Sequence, residues 1–124
     1  MKKILVVDDQ KEIRDLLKEK LVKEKFFVAT ASNGEEAISV SKNSKPDLIL
    51  LDIGMPKMDG YLTCEKLKED PLLATIPVLF LTGKDLDPES VVEHCQELSA
   101  AGYISKLSSL KELLEKIREV LFIV

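Results

Sequence analysis

Three short runs of the chain are almost purely apolar: residues 4–7 (ILVV), 48–51 (LILL) and 78–81 (VLFL). None alternates polar with apolar positions, so the pattern predicts strands buried on both faces, as in a parallel sheet. Residues 26–30 and 101–104 are weaker strand candidates. The segments between them repeat at helical spacing. Ile13, Leu16, Leu17 and Leu21 form an apolar stripe with Lys and Glu on the other face. Asp9 and Glu12 read as a capping box ahead of it. Ser32, Asn33, Gly34 and Glu35 open a second helix that runs to about Asn43. A third runs from near Gly60 to Glu69 and must stop by Pro71. Asp87 and Pro88 place a cap residue before the first-turn proline of a fourth helix, which ends near Ser99. Ser109 to Glu112 open the last helix, with Leu110, Leu113, Leu114, Ile117 and Leu121 as its stripe. Five strand-then-helix units predict an α/β fold, a five-stranded parallel sheet with five helices on both faces. Periodicity does not carry the strand order.

The length of 124 residues suits one domain, residues 1–124, with about two-thirds of the unfolded surface buried. At 45% hydrophobic and 32% charged, the composition is that of a folded globular chain. Eighteen basic residues against 22 acidic leave a net charge of −4, which argues against a sequence-independent grip on nucleic acid. No apolar run is long enough to cross a bilayer. The basic start is followed by only four apolar residues before two acids, so it does not read as a signal peptide. Cys64 and Cys95 lack any CxxC spacing and read as buried thiols in a reducing compartment. The expected location is the cytoplasm.

Ligands of an open parallel sheet gather beyond the carboxyl ends of its strands. There the first apolar run meets Asp8 and Asp9, the third Asp52 and the fourth Thr82, while Lys106 follows shortly after the fifth. Singly, each has a plain explanation: a cap, a turn, a solvated charge. Jointly, three carboxylates at one edge repel and are partly desolvated, so the fold must hold positive charge among them. One Lys does not balance three acids, and a divalent cation does. An all-oxygen ligand set suits Mg²⁺ or Mn²⁺ over zinc, and neither cysteine nor His94 has zinc spacing. Mg²⁺ usually takes one or two carboxylates plus phosphate oxygens, which leaves a third carboxylate free as a nucleophile. The metal, a Lys and a hydroxyl would offset charge on a transferring phosphoryl group. The residues thus predict aspartyl phosphorylation, and spacing leaves open which acid is the nucleophile.

Four segments carry a resemblance: residues 6–9 (VVDD), 46–60 (PDLILLDIGMPKMDG), 76–83 (IPVLFLTG) and 101–106 (AGYISK). From end to end, the chain resembles the receiver domain of two-component response regulators, in the single-domain form of chemotaxis regulators. The resemblance implies the strand order 2-1-3-4-5. It implies that Asp52 is the phosphoacceptor, and that Asp8, Asp9, Asp52 and the carbonyl of Gly54 hold Mg²⁺. Lys106 would contact the phosphoryl group, Thr82 would swing toward it, and Tyr103 would rotate inward behind it. The implied partners are a histidine kinase or phosphotransfer protein as donor and an effector on the fourth helix–fifth strand–fifth helix face, with a homodimer as a further possibility. The domain would be a switch with slow Mg²⁺-dependent self-phosphorylation and autodephosphorylation, not a turnover enzyme.

The family usually carries Pro after the Lys, with a cis bond. Here Leu107 follows Lys106. A non-proline cis bond costs roughly 2.5–4 kcal/mol, which favours trans. Gly60 and Gly83 read as tight backbone positions, and Met55 and Met58 as packing around the loop. Gln10, Ile13 and Arg14 are kinase contacts by analogy, or simply a helix face. His94 reads as a surface residue of the fourth helix. The apolar end, residues 120–124, reads as a packed helix end, a dimer contact, or the cut edge of a longer protein. Two other classes compete with the phosphorylated switch. A degenerate receiver acting only as an interaction module should lack an acid, the Thr or the Lys, and none is missing. An aspartate-based phosphatase should carry an Asp-x-Asp pair at its nucleophile, and neither Asp8-Asp9-Gln10 nor Asp52-Ile53-Gly54 provides it. The chain also has no GxxxxGK[ST] loop.

Overall fold

The computed structural model describes residues 1–123. In chain order the elements are β1 (Lys3–Val7), α1 (Lys11–Lys23), β2 (Phe27–Ala31), α2 (Gly34–Ser44), β3 (Leu48–Asp52), α3 (Gly60–Glu69), β4 (Val78–Thr82), α4 (Pro88–Glu97), β5 (Gly102–Ser105) and α5 (Leu110–Leu121). The sheet is parallel throughout, in the order β2-β1-β3-β4-β5. The chain winds outward from β1 to β2 in one direction and from β3 to β5 in the other. The winding therefore reverses between β1 and β3, whose carboxyl ends carry Asp8 and Asp52.

Apolar strands serve two cores because successive side chains point to opposite faces. Leu5, Val7, Ile49, Leu51, Val78 and Phe80 pack with Ala37, Cys64, Leu67, Val91 and Cys95 of α2, α3 and α4. Ile4, Val6, Leu48, Leu50, Leu79 and Leu81 pack with Leu21 of α1 and Leu113, Leu114 and Ile117 of α5. Each such Leu or Ile contributes about 1.5–3 kcal/mol by leaving water. This double burial explains why the central runs show no alternation.

Several helix starts follow the expected chemistry. Asn33 accepts from the Glu36 N–H at 2.8 Å, and Ser109 and Glu112 complete a capping box on α5. The start of α1 differs. Its N-cap is Gln10, with no side-chain cap bond, so Asp9 and Glu12 form no box. The acids just before it belong to the sheet edge instead, and Asp8 Oδ1 takes the Gln10 N–H at 2.9 Å. Asp87 occupies the N-cap of α4 ahead of Pro88, again without a side-chain bond. The stripe of α1 is only partly covered: Leu21 is fully buried and Leu16 is half exposed.

The segment between β3 and α3 shows why its residues are what they are. Asp59 caps α3 by accepting from the Leu62 N–H at 2.9 Å. A side chain at Gly60 would clash with the Asp52 carbonyl and come within 2.7 Å of Ile53 Cα, so α3 presses directly on the backbone behind Asp52. Gly83 is not in this class, because a Cβ there would meet only the mobile end of Asp85. Met55 is buried and Met58 lies over Gly34, as packing residues should. No peptide bond among the described residues is cis, so Lys106–Leu107 is trans. Phe122 caps α5 in a left-handed conformation and is exposed. Val120, Leu121 and Ile123 are half-buried against the second core, and Val124 lies outside the described residues.

Candidate functional site

The carboxyl ends of β1 and β3 bring Asp8, Asp9 and Asp52 together. One carboxylate oxygen of each lies within 4.8 Å of the others. Their environments differ. Asp8 is fully buried and Asp52 nearly so, whereas Asp9 faces solvent. Asp8 is fixed on several sides. Its N–H donates to the Ala31 carbonyl at 3.2 Å, and its own carbonyl accepts from the Arg14 guanidinium at 2.8 Å. Asp52 Oδ1 accepts from the Gly54 N–H at 3.1 Å.

Lys106 enters from the turn after β5. Its ammonium lies 2.8 Å from Asp8 Oδ2 and 3.1 Å from Asp52 Oδ1. Both contacts are ion pairs rather than hydrogen bonds, and among the described residues neither Asp8 Oδ2 nor Asp52 Oδ2 has a hydrogen-bond partner. Burial, with the Asp8 charge beside it, pushes the Asp52 carboxyl above its ordinary range, against the pull of Lys106 and the Gly54 N–H. Burial works against the charge on Lys106, yet its close ion pairs with Asp8 and Asp52 outweigh this and hold its pKa up. Lys106 is therefore a cation and the acids outnumber it.

This donor set fits a hard divalent ion. The ligand atoms that Asp8, Asp9 and Asp52 offer are all carboxylate oxygens, and among the described residues Asp8 Oδ2 and Asp52 Oδ2 are buried without a hydrogen-bond partner. An unsatisfied buried oxygen costs about 1–3 kcal/mol, more for a charged group, which an ion would recover.

Thr82 ends β4 opposite Ser105 in the ladder, half-buried. Tyr103 lies opposite Phe80 on β5 and is 42% exposed, so its ring is turned outward. Neither hydroxyl makes a hydrogen bond among the described residues. Gly54 is exposed, two residues past the buried acid. The structure thus gathers Asp8, Asp9, Asp52 and Lys106, and among the described residues neither Thr82 nor Tyr103 is hydrogen-bonded to them through its hydroxyl.

Two residues take places the sequence did not suggest. Arg14 spends a guanidinium N–H on the Asp8 carbonyl, an internal bond that a helix face gives no sign of. His94 is half-buried rather than on the surface: its ring stacks on Tyr61 at 3.8 Å and 7°. Its Nδ1 lies 2.7 Å from the Ser90 carbonyl. Tyr61 in turn meets Phe80 edge-on at 5.3 Å. Only the docking of α4 beside α3 creates this stack.

Among the described residues, no helix is long and apolar enough to cross a membrane. Comparison with known proteins gives a consistent result. The model of the response regulator receiver domain matches residues 4–118. The alkaline phosphatase synthesis transcriptional regulatory protein PhoP of Bacillus subtilis is 41% identical over 97% of this chain and 48% of its own length. The probable transcriptional regulator ycf27 of Guillardia theta is 40% identical over 96% of this chain and 45% of its own. The chain therefore spans about half the length of these relatives. Among solved structures, the chemotaxis protein CheY4 of Vibrio cholerae superposes with a TM-score of 0.90 at 28% identity, covering 98% of this chain and 99% of that one. The N-terminal domain of a response regulator receiver protein from Methanoculleus marisnigri is 40% identical with a TM-score of 0.78, covering 98% and 97%. With its sheet order, its acid cluster and these matches in agreement, the chain belongs to the response regulator receiver domain family of two-component systems.

Proposed function

We propose that residues 1–124 form one receiver domain, a cytoplasmic switch in which Asp52 accepts a phosphoryl group from a phosphohistidine on a histidine kinase or phosphotransfer protein. The observation that carries this reading is Asp52 Oδ2, a buried carboxylate oxygen with no hydrogen-bond partner among the described residues, while Oδ1 pairs with Lys106 and accepts from the Gly54 N–H. One oxygen is anchored and the other is left to react. Asp8, Asp9, Asp52 and the Gly54 carbonyl would hold Mg²⁺, or Mn²⁺ in its place. Bound there, the ion supplies positive charge against the phosphoryl oxygens.

In the transfer, a carboxylate oxygen of Asp52 attacks phosphorus in line. The O–P bond forms as the P–N bond to the donor imidazole breaks, and that nitrogen leaves with the electron pair. Lys106 offsets the charge on the phosphoryl oxygens and, already placed between Asp8 and Asp52, needs little reorganisation. A small phosphate donor can serve in the same way, which gives slow self-phosphorylation. Water later attacks the phosphorus, the Asp52 O–P bond breaks with its electron pair staying on the carboxylate, and inorganic phosphate leaves.

The donor would dock beside the site. A cavity of about 110 Å³ between α1 and α5, lined by Ile13, Leu17, Leu110 and Leu113, also touches Lys106 and supports apolar contact there. The output would be read on the α4–β5–α5 face, by an effector protein or a second copy of the chain. Thr82 would move toward the phosphate and the outward Tyr103 would turn in behind it, biasing that face between two packings.

The test is acetyl phosphate with Mg²⁺ followed by intact mass. The native chain should gain one phosphoryl group and Asp52→Asn should gain none. A folded native chain that gains no mass overturns the reading and leaves an interaction module.

A further inference from the structure

The turn that carries Lys106 is closed by one residue. β5 ends at Ser105, whose last rung pairs it with Thr82, and the Lys106 N–H still donates to the Thr82 carbonyl at 2.9 Å. The chain then turns away from the sheet. Ser105 holds this turn twice. Its carbonyl accepts from the Ser108 N–H at 3.0 Å, and its Oγ accepts from the Leu107 N–H at 3.0 Å. Lys106 lies inside that closure, and its ammonium reaches Asp8 and Asp52. Packing does not anchor the turn at its next residue, since Leu107 is 69% exposed.

A proline at position 107 would have no N–H to offer and would restrain the turn through its ring. Leucine has neither the ring nor a fixed φ, and it adds a donor that needs a partner. A serine two residues earlier is short enough to supply one, which is the hydroxyl turn that Ser and Thr make with their own backbone.

We propose that Ser105 is a positioning residue for Lys106. Its hydroxyl restrains the Leu107 amide, and through it the direction in which Lys106 leaves β5. This rests on the reading that Lys106 serves phosphoryl transfer. Without the hydroxyl, Lys106 samples more orientations, and only those between Asp8 and Asp52 support the reaction. The loss falls on the transfer step and not on the encounter with the donor.

The variants are Ser105→Ala, Ser105→Thr, Leu107→Pro, and Ser105→Ala combined with Leu107→Pro. Without metal or donor, ¹⁵N NMR should show faster exchange of the Leu107 amide and a broadened Lys106 ammonium signal in Ser105→Ala. Both should return in Ser105→Thr. With acetyl phosphate and Mg²⁺, the maximal rate of incorporation should fall about three- to tenfold in Ser105→Ala, the range one hydrogen bond spans. The donor concentration at half-maximal rate should be unchanged, and Ser105→Thr should recover the rate. In the Leu107→Pro background, adding Ser105→Ala should change nothing further, because the amide it serves is gone. An unaltered Lys106 signal in Ser105→Ala overturns the inference, as does an equal loss from Ser105→Ala in both backgrounds. A native chain that takes up no phosphoryl group counts instead against the function, since the metal-free signals do not depend on it.

Discussion

β3 and β5 bring the two halves of the site together and are built in opposite ways. β3 is central, paired on both sides, and all five of its residues are buried, including Asp52. β5 is an edge strand paired only with β4, and its residues alternate between half-buried and exposed. The carboxylate proposed to accept phosphorus therefore sits on a strand that cannot shift without disturbing both cores. Tyr103 belongs to β5 and Lys106 to the turn after it, where no residue of the strand is fully buried and only one neighbour holds it. Acceptance benefits from fixed geometry, whereas response must come from the less stable parts of a fold.

The contrast is broken most directly in the cores. Leu50→Ala, in the middle of β3, should lower stability by about 2–5 kcal/mol, while Ile104→Ala on β5 should cost roughly 1 kcal/mol. Urea unfolding measures both, and equal losses would remove the distinction. The acid edge comes next. Mg²⁺ at one hundred times its dissociation constant should add about 2.7 kcal/mol. In Asp9→Asn most of that gain should vanish from the thermal midpoint, although Asp9 is exposed and its loss alone should matter little.

A smaller, pH-dependent gain should follow from Asp52→Asn in metal-free protein. The native state holds the Asp52 proton more tightly than the unfolded chain does, because of burial and the Asp8 charge. Stability from that proton is whole below the ordinary carboxyl range and is lost as pH rises through the elevated native value. The variant should therefore exceed the native chain in stability at neutral pH, and its advantage should shrink on acidification. A variant less stable than the native chain at pH 7 would show that the Lys106 ion pair outweighs the burial. The smallest effects concern the helices that flank β5. Ser109→Ala, which removes a capping box, should cost about 1 kcal/mol, and Asp87→Ala, which removes no bond, only a few tenths.

Much of the site was readable because its markers are local. Asp8, Asp9 and Asp52 each follow an apolar run, and such runs end at one edge of a parallel sheet. Gly60 was readable as a tight backbone position, and the structure adds that α3 presses there on the Asp52 backbone; the cap that Asp59 places on α3 was not read. Asp9 and Glu12 misled because a capping box and an acidic strand end look alike in one dimension. Arg14 and His94 were obscured for a related reason, since a bond to the Asp8 carbonyl and a stack on Tyr61 join different elements.

Taken alone, the order of residues determined the five strands, the five helices and which acids meet at the sheet edge, because side-chain periodicity and end chemistry act over a few residues. Tertiary structure decided the rest. Strand order placed β1 beside β3, so that burial and then the Asp8 charge push the Asp52 carboxyl upward. The turn at Ser105 set Lys106 between them. Charge–charge energies depend on distance in space and on burial, and neither is defined until the sheet has closed around them.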